Sequence, residues 1–384
     1  MLKRCRLKMK LNNRRGISTA TMVVVMAIIV VIAIAGAAAV YYVFPRTTTV
    51  TIPVSTTSTT STTTHQYKLA LVVGGDETDD GFNAVAIQAA QLIQTLYGWQ
   101  VSISRDVAYS DQDRVLATYA QEGYDVVWAH GGQFLGSTVF GNISKIYPNT
   151  IFIQSPGPSA TELQYANTNL TKNMVVLGPS FQVKGYYLAG VLAGEMTKTG
   201  AVAVVIGQWY DYLSQEFYAF QAGVNSTHNN VKVYARVAGT WADPSTGFQI
   251  AQTLITQQHV DVIAQIADAT GRGVISAAQQ YNISIIGTVA DQANLAPSIT
   301  MTSVMMNTTA FIDYVIQSVM HGTFNTIGGT VINMDLGYLA PYHYYDSTVP
   351  QSVKQLVSST QTQIAQGSIT VPELITTNPP PDPT

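Results

Sequence analysis

The sequence predicts an α/β protein with two doubly wound lobes, preceded by one amino-terminal transmembrane helix. Three observations predict this arrangement: an uncharged apolar run over residues 22–44, a Ser/Thr-rich stretch behind it, and, from residue 67 onward, short apolar runs that alternate with helical periods. The chain has 384 residues, of which 47% are hydrophobic and 11% are charged. This length is sufficient for two domains of ordinary size.

The amino-terminal segment predicts where the protein works. Basic residues are dense over residues 1–15, and the first acidic residue is Asp76. Because positive charge stays on the cytoplasmic side, we expect the basic leader inside the cell and the body outside, anchored at the cell membrane. The apolar run is longer than the core of a typical removable secretory signal, so it is expected to remain as an anchor.

A local pattern precedes the apolar run. Arg14, Arg15, Gly16 and Ile17 stand directly before a small polar stretch. The pattern resembles an archaeal type IV pilin-like signal, and the resemblance implies cleavage between Gly16 and Ile17 with the helix left attached. The leader is then 1–16 and the anchor helix 17–46. The alternative is a simple anchor that is not cleaved.

Residues 47–64 are a low-complexity Ser/Thr segment with one proline, which predicts an extended linker. An O-glycosylated stalk is an open alternative to a plain flexible linker, and both predict the same distance between the membrane and the body. The body carries five N-x-[ST] sequons, which predict surface N-glycosylation of an exported glycoprotein. These sequons begin at Asn142, Asn169, Asn225, Asn282 and Asn307.

The body divides into two series of strands and helices. The predicted strands lie at 67–74, 100–103, 125–129 and 150–154, and then at 201–207, 231–237, 261–266 and 283–288. Helical periods separate them, the clearest lying at 83–97, 184–198, 213–224, 246–257 and 271–281. Such alternation predicts two mostly parallel sheets with a ligand cleft at the carboxyl ends of their strands.

The loops at these strand ends supply the candidate ligand-binding residues. An aromatic ring offers a stacking face, and Asp and Asn side chains select polar edges by hydrogen bonding. The candidates are Asp80, Phe82, Asn83, His130, Phe134, Trp209, Tyr210, Asp243, Asp268 and Asp291. The structural alternatives are that Asp80 caps a helix, that Phe82 belongs to the core, and that His130 is structural.

Several segments together resemble the basic membrane protein (BMP) family, which is related to purine nucleoside receptors of ABC importers. They include DDGFN (79–83), YDVVWAHGGQF (124–134), KGYYLAGVLAGEMTKTGAVAVVIG (184–207) and IGTVADQANLAP (286–297). The resemblance implies the type I periplasmic-binding architecture, in which three crossings join two lobes. Lobe one is then 65–180 plus 298–325, lobe two is 181–297 plus 326–371, and 372–384 is a Pro-rich tail.

The resemblance also implies a function: capture of a nucleoside or related base-containing solute and its delivery to an ABC permease and ATPase. In relatives the base is sandwiched between two aromatics, which correspond here to Phe82 and to Trp209 or Tyr210. Two departures concern the ribose, because Val289 and Met306 stand where the family usually has Asp and Lys. A nucleobase or another less hydroxylated solute therefore fits as well, and Asp291 is an open substitute.

Other function classes find little support. From residue 65 onward 22 acidic residues face 11 basic ones, which gives no electrostatic reason to bind nucleic acid. Cys5 is the only cysteine, and the sequence has no nucleophile elbow, zincin motif or P-loop, so we expect no enzyme activity, metal or cofactor. The remaining alternative is a surface-anchored sensor or surface-assembly subunit that binds a different small solute.

Overall fold

The computed structural model describes residues 65–75, 77–79, 81–136, 142–159, 163–164, 169–227 and 230–383. The predicted leader with Gly16 and Ile17, the anchor helix, the linker and Asp80 lie outside these residues. Within them, no helix is long and apolar enough to cross a membrane.

The described residues form strands and helices in alternation. The strands are β1 (Lys68–Val73), β2 (Gln100–Ser104), β3 (Val126–His130), β4 (Ile151–Ser155), β5 (Met174–Leu177), β6 (Ala201–Ile206), β7 (Lys232–Val237), β8 (Val262–Ile266), β9 (Ser284–Val289), β10 (Thr300–Met306), β11 (Thr330–Ile332) and β12 (Gly337–Leu339). The helices are α1 (Phe82–Tyr97), α2 (Gln112–Gln121), α3 (Ile143–Ile146), α4 (Val183–Met196), α5 (Asp211–Asn225), α6 (Pro244–Gln258), α7 (Asp268–Tyr281), α8 (Thr308–Met320) and α9 (Gln351–Ala365).

The strands build two six-stranded sheets, one for each lobe. The first has the order β11-β5-β4-β3-β1-β2 and is parallel throughout. The second has the order β12-β10-β9-β8-β6-β7, and only its edge strand β12 runs antiparallel to its neighbour. The predicted α/β architecture with two parallel-sheet lobes is therefore confirmed.

The composition of the central strands explains their position. Strand β6 reads AVAVVI and is buried at all six positions. A strand covered by helices on both faces needs apolar side chains in both directions, which gives a continuous apolar run instead of an alternating one.

Two glycines let helices α4 and α5 pack closely over the second sheet. A Cβ at Gly190 would lie 2.0 Å from the carbonyl oxygen of Phe220, and one at Gly223 would lie 2.0 Å from that of Tyr187. Side chains at these positions would force the helices apart, so the small-residue pattern of α4 is a packing requirement.

The lobe boundaries predicted from the sequence are wrong at two places. Residues 300–306, expected in lobe one, form β10 of the second sheet, and residues 330–332, expected in lobe two, form β11 of the first sheet. The chain crosses between lobes after β5, after β10 and after β11. Helix α8 packs on α1 of the first lobe, whereas β10, the strand that precedes α8, belongs to the second lobe.

The Pro-rich tail lies along the second lobe. The Trp209 indole N–H donates to the carbonyl oxygen of Thr376 at 2.7 Å. Arg236 and Asp382 form an ion pair in which Nη2 donates to Oδ2 at 2.8 Å. These contacts hold the chain end against the lobe.

The five sequon asparagines occupy the surface. Their side chains are all exposed, at loop positions or helix ends: Asn142, Asn169, Asn225, Asn282 and Asn307. Glycosylation at these positions stays a prediction that the fold accommodates.

Candidate functional site

A cavity of about 230 Å³ lies between the lobes, at the carboxyl ends of their parallel strands. This is where ligands bind in open α/β sheets, and the volume fits one small organic solute. The first lobe contributes residues from the loops after β1, β2 and β3. The second contributes the start of α5 and the ends of β8 and β9.

The first lobe forms one wall of the cavity with the ring of Phe82, which rests on His130. The ring of Phe82, the first residue of α1, stacks on His130 with centroids 4.0 Å apart and planes inclined by 16°. His130 is buried beneath it, and burial lowers the pKa of its imidazole to about 3, so the ring is neutral near pH 7.

Hydrogen bonds fix the tautomer of His130. Its Nε2 lies 3.0 Å from the carbonyl oxygen of Phe82 and therefore donates, while Nδ1 accepts from the Ser155 hydroxyl at 2.8 Å. The Trp128 indole N–H donates to the same Ser155 oxygen at 2.6 Å. This chain of donors holds the backbone of Phe82, so His130 positions the aromatic wall.

The wall from the second lobe is a stack of three aromatic rings. Tyr210 lies parallel to Tyr212, with centroids 5.8 Å apart, and to Trp241, with centroids 6.5 Å apart. The side-chain oxygen of Gln208 accepts from the Tyr210 hydroxyl at 2.6 Å and from the Trp241 indole at 2.9 Å. One glutamine thus fixes two of the three rings.

A glycine makes room for this stack. A Cβ at Gly207, directly after β6, would lie 2.3 Å from the ring of Trp241. The absent side chain lets the indole rest against the backbone beside the cavity.

The side chain of Glu216 lies deep in the cavity wall, on the same face of α5 as Tyr212 and Leu213. It is 1% exposed, and neither carboxyl oxygen has a hydrogen-bond partner among the described residues. Burial raises the pKa of this carboxyl well above its ordinary value. Burial therefore favours the neutral form of this carboxyl group.

The charge of the cavity is one-sided. Asp106 and Asp268 lie in its wall beside Glu216, whose carboxyl is held toward the neutral form by burial, and no Lys, Arg or His is among the described residues that line it. Such a site disfavours anionic solutes, because a buried anion needs a compensating charge.

The lobes touch at the mouth of the cavity. The backbone N–H of Phe82 donates to Asp268 Oδ1 at 3.3 Å, and the guanidinium of Arg272 donates to the carbonyl oxygen of Thr78. The hydroxyls of Tyr109 and Tyr210 lie 3.4 Å apart. Each pair joins one lobe to the other, so the structure shows the cleft closed.

Three non-glycine residues in the wall adopt left-handed backbone. Asp106 has φ 52°, Asp268 has φ 46° and Val289 has φ 62°. This conformation is sterically most unfavourable for Val289, whose side chain is β-branched. Such strain persists where the surrounding structure enforces it and clusters at ligand sites. All three residues line the cavity, which supports its assignment as the candidate binding site.

The structure brings some of the predicted binding residues together. Four of them line the cavity: Phe82, Asn83, Tyr210 and Asp268. Asp80 lies outside the described residues. The role of each in binding stays a prediction.

Two of the predicted aromatic residues do not reach the cavity. The ring of Trp209 packs near Phe217, at 6.0 Å between centroids, and its indole is bound to the tail. Phe134 is fully buried in the core beneath the first sheet. Of the two candidates for the second stacking ring, only Tyr210 lies in the cavity wall.

Three predicted polar residues have structural partners instead. His130 lies behind Phe82, as described above. Asp243 caps α6, accepting from the backbone N–H of Ser245 at 2.9 Å. Asp291 Oδ2 is hydrogen-bonded to His343 Nε2 at 2.6 Å, and Asp291 is not part of the cavity wall.

The two departures from the family pattern differ in their placement. Val289 lies in the cavity wall, whereas Met306 is packed in the core. Val289 therefore presents an apolar side chain in the wall where the family usually has Asp.

Three residues of the cavity wall were not predicted from the sequence: Tyr109, Gln133 and Glu216. Glu216 carried a usable signal: it occupies the face of α5 that is otherwise apolar, between Leu213 and Phe220. A carboxyl on such a face either has a buried partner or faces a ligand. The other two stand in loops whose course the sequence does not reveal.

Comparison with known proteins places the chain among transport proteins. A family model described as "Bmp: ABC transporter substrate-binding protein PnrA-like" matches residues 66–370. Basic membrane protein A of Borreliella burgdorferi is 24% identical over 62% of this chain and 67% of its own length. A purine-binding protein of Brucella abortus is 24% identical over 68% of this chain and 69% of its own length.

A putative ABC transporter glucose-binding protein of Haloferax volcanii is 25% identical over 76% of this chain and 71% of its own length. Among solved structures, a solute-binding protein from Aeropyrum pernix has a TM-score of 0.69 with 16% identity, covering 80% of this chain and 94% of that one. One from Conexibacter woesei has a TM-score of 0.64 with 19% identity, covering 81% and 100%. These structures share the fold.

Proposed function

This chain belongs to the Bmp family of PnrA-like ABC transporter substrate-binding proteins, and from that premise we propose that it captures a nucleoside or related base-containing solute between its lobes. The observation that carries the proposal is the pair of aromatic walls. Phe82 from one lobe and the Tyr210 stack from the other face one closed cavity.

Stacking explains why a base suits this cavity. A base stacked on an aromatic side chain gains about 1–3 kcal/mol, and the gain does not depend on the identity of the base. Two walls therefore supply a large share of the free energy of micromolar binding. The acidic lining disfavours phosphates, so the proposed ligand is a nucleoside or a base and not a nucleotide.

The names of relatives support two ligand classes. The Brucella relative is named as purine-binding, which agrees with the aromatic walls. The Haloferax relative is named as glucose-binding, and it makes a sugar the second candidate. Val289 in the wall favours the base over the sugar, because it removes a polar group where relatives are expected to bind ribose.

The proposed mechanism is capture without chemistry. An open cleft admits the solute, the walls stack it, and the contacts between Phe82 and Asp268 and between Tyr109 and Tyr210 form as the lobes close. The closed form then presents both lobes to a membrane permease driven by an ATPase. Use of the same closure for sensing or in a surface assembly is the alternative.

The proposal includes an extracellular location. The basic leader, the apolar run and the Ser/Thr linker favour a domain held on the outer face of the membrane. Replacing Gly16 is expected to leave unprocessed precursor in the membrane fraction. Mature protein of normal size on a gel would refute the pilin-like signal.

Thermal-shift screening of the full-length protein tests the binding function. Nucleosides, nucleobases, sugars and amino acids are compared, because a ligand that binds only the native state raises the melting temperature. We expect a shift with nucleosides or nucleobases. A shift with bases alone means that the ribose site is lost, whereas a shift with glucose alone contradicts the proposal.

A further inference from the structure

Glu216 occupies a position where a structural role explains little. It follows Tyr212 by four residues and Leu213 by three, so all three lie on the face of α5 that meets the cavity. The side chain is 1% exposed, and both carboxyl oxygens lack a hydrogen-bond partner among the described residues. Buried polar groups are nearly always hydrogen-bonded, so an unpartnered one requires an explanation.

The neighbouring groups do not supply a partner. The hydroxyl of Tyr186, on α4, is engaged by Thr288 Oγ1 at 2.5 Å. Tyr212, on the same helix, and Asp268, at the start of α7, are the other titratable groups whose charges act in this part of the wall.

Across the cavity stand Asp106 and Tyr109 of the first lobe, while Tyr210 lies in the same wall as Glu216. None of these groups carries a positive charge, and the described lining contains no basic side chain. An ionised Glu216 would therefore be a buried anion without a counter-charge, which is strongly unfavourable. The group rests as a neutral acid.

We propose that Glu216 contacts the ligand as a neutral carboxylic acid and selects a planar edge on which a hydrogen-bond acceptor adjoins a donor. The inference rests on the proposed function, since it concerns the ligand of the same cavity. A neutral carboxyl donates from its hydroxyl and accepts at its carbonyl oxygen. Adenine offers N1 beside its 6-amino group, and hypoxanthine offers O6 beside N1–H, so both edges match.

An ionised carboxylate would select differently. It only accepts, so it requires two adjacent donors, which guanine offers as N1–H and the 2-amino group. Against adenine it would oppose the N1 lone pair and repel it. Guanine also offers O6 beside N1–H to a neutral carboxyl, so the protonation state of Glu216 decides whether adenine is accepted, and guanine fits either state.

Two substitutions separate a ligand contact from a structural role. Glu216→Gln keeps a donor beside an acceptor, whereas Glu216→Leu keeps the approximate size and removes both. Glu122→Leu, an exposed position in the first lobe, is the matched control. Calorimetry of the full-length proteins with adenosine, inosine and guanosine gives the affinities, and circular dichroism verifies folding.

We expect the wild type to bind adenosine and inosine, and Glu216→Gln to stay within about threefold of it for both. Glu216→Leu is expected to lose at least about tenfold, because the polar edge of the base is then buried without a partner. The control variant should match the wild type. Binding enthalpies in buffers of different ionisation enthalpy should agree near neutral pH, since a neutral Glu216 exchanges no proton on binding.

Three results would overturn the inference, each in a recognisable way. Equal affinity of folded Glu216→Leu and wild type means that the carboxyl does not contact the ligand. A preference for guanosine, with proton release on binding and loss of affinity in Glu216→Gln, means that the contacting group is a carboxylate. Failure of the wild type to bind any of the three nucleosides overturns the proposed function, and this inference with it.

Discussion

The two walls of the cavity each contain a buried titratable group, and the two groups are in opposite situations. His130, behind the first-lobe wall, has both ring nitrogens hydrogen-bonded, to Ser155 and to the carbonyl of Phe82. Glu216, in the second-lobe wall, has no hydrogen-bond partner for either oxygen among the described residues. Burial favours the neutral form of both, lowering the pKa of His130 to about 3 and raising that of Glu216.

The difference shows how to distinguish a buried polar residue that supports the fold from one that contacts a ligand. A buried polar group with satisfied hydrogen bonds stabilises the fold, and His130 does so by holding the backbone of Phe82. A buried polar group left unsatisfied beside a cavity reduces stability until a ligand satisfies it. Both residues are almost fully buried, so burial alone does not show which one supports the fold and which one faces a ligand.

The largest expected effect is on stability without ligand. Glu216→Leu should raise the free energy of unfolding by about 1–3 kcal/mol, because it removes the desolvation penalty of an unpartnered carboxyl. Urea denaturation near neutral pH measures it, with Glu122→Leu expected within about 0.5 kcal/mol of wild type. A less stable Glu216→Leu protein would mean that the carboxyl has a stabilising partner.

The next effect is acid destabilisation through His130. The folded protein keeps this imidazole neutral down to about pH 3, whereas in the unfolded chain it takes up a proton below its ordinary pKa of 6.5. Its contribution is therefore present above pH 6.5 and is lost as the pH falls toward 3. Between about pH 6.5 and pH 5 the loss is about 2 kcal/mol.

Denaturation curves of His130→Gln test this, because the variant should lack that part of the pH dependence. His321→Gln, at an exposed helix end, is the matched control and should keep it. Identical slopes for His130→Gln and wild type would show that His130 does not remain neutral in the fold.

Removing the first-lobe wall should weaken ligand binding. Phe82→Ala is expected to lower the affinity for adenosine at least about tenfold, since one stacking face is lost. Tyr314→Ala, which removes an exposed ring from α8, should bind like the wild type. Unchanged affinity of Phe82→Ala in calorimetry would refute the stacking role.

The smallest expected effect concerns Trp209, the predicted aromatic residue whose ring does not line the cavity. Trp209→Phe should keep the affinity within about threefold while losing about 0.5–1.5 kcal/mol of stability, because only the hydrogen bond to Thr376 disappears. Thermal denaturation and adenosine calorimetry measure the two quantities. A fall in affinity comparable with that of Phe82→Ala would show that Trp209 reaches the ligand after all.

The fold was more predictable than the site. Apolar runs such as 201–207 and helical periods such as 83–97 marked strands and helices within a few residues, because local periodicity determines them. The lobe assignment of 300–306 and 330–332 failed, because the chain crosses between lobes after short strands and nothing local records which sheet a strand joins.

Within the site, nearness to a strand end does not by itself decide which predicted residues line the cavity. Asp268 and Asp291 both stand just after a strand, β8 and β9, yet only Asp268 lines the cavity. Phe82 lines it from the start of α1, well after the end of β1. Trp209 and Tyr210 are adjacent in the chain, yet their rings point in different directions. Trp209 packs near Phe217 and is hydrogen-bonded to the tail, whereas Tyr210 lines the cavity, and the sequence alone does not show which ring does which. Gln133 and Tyr109 depend on loop geometry that sequence does not specify.

The central claim is that a base lies between the two aromatic walls. The most direct measurement is a crystal structure of the protein with bound adenosine. The account predicts the base stacked between Phe82 and Tyr210 with its amino edge at Glu216. Adenosine bound elsewhere, or in the cleft with its base away from both rings, would contradict it.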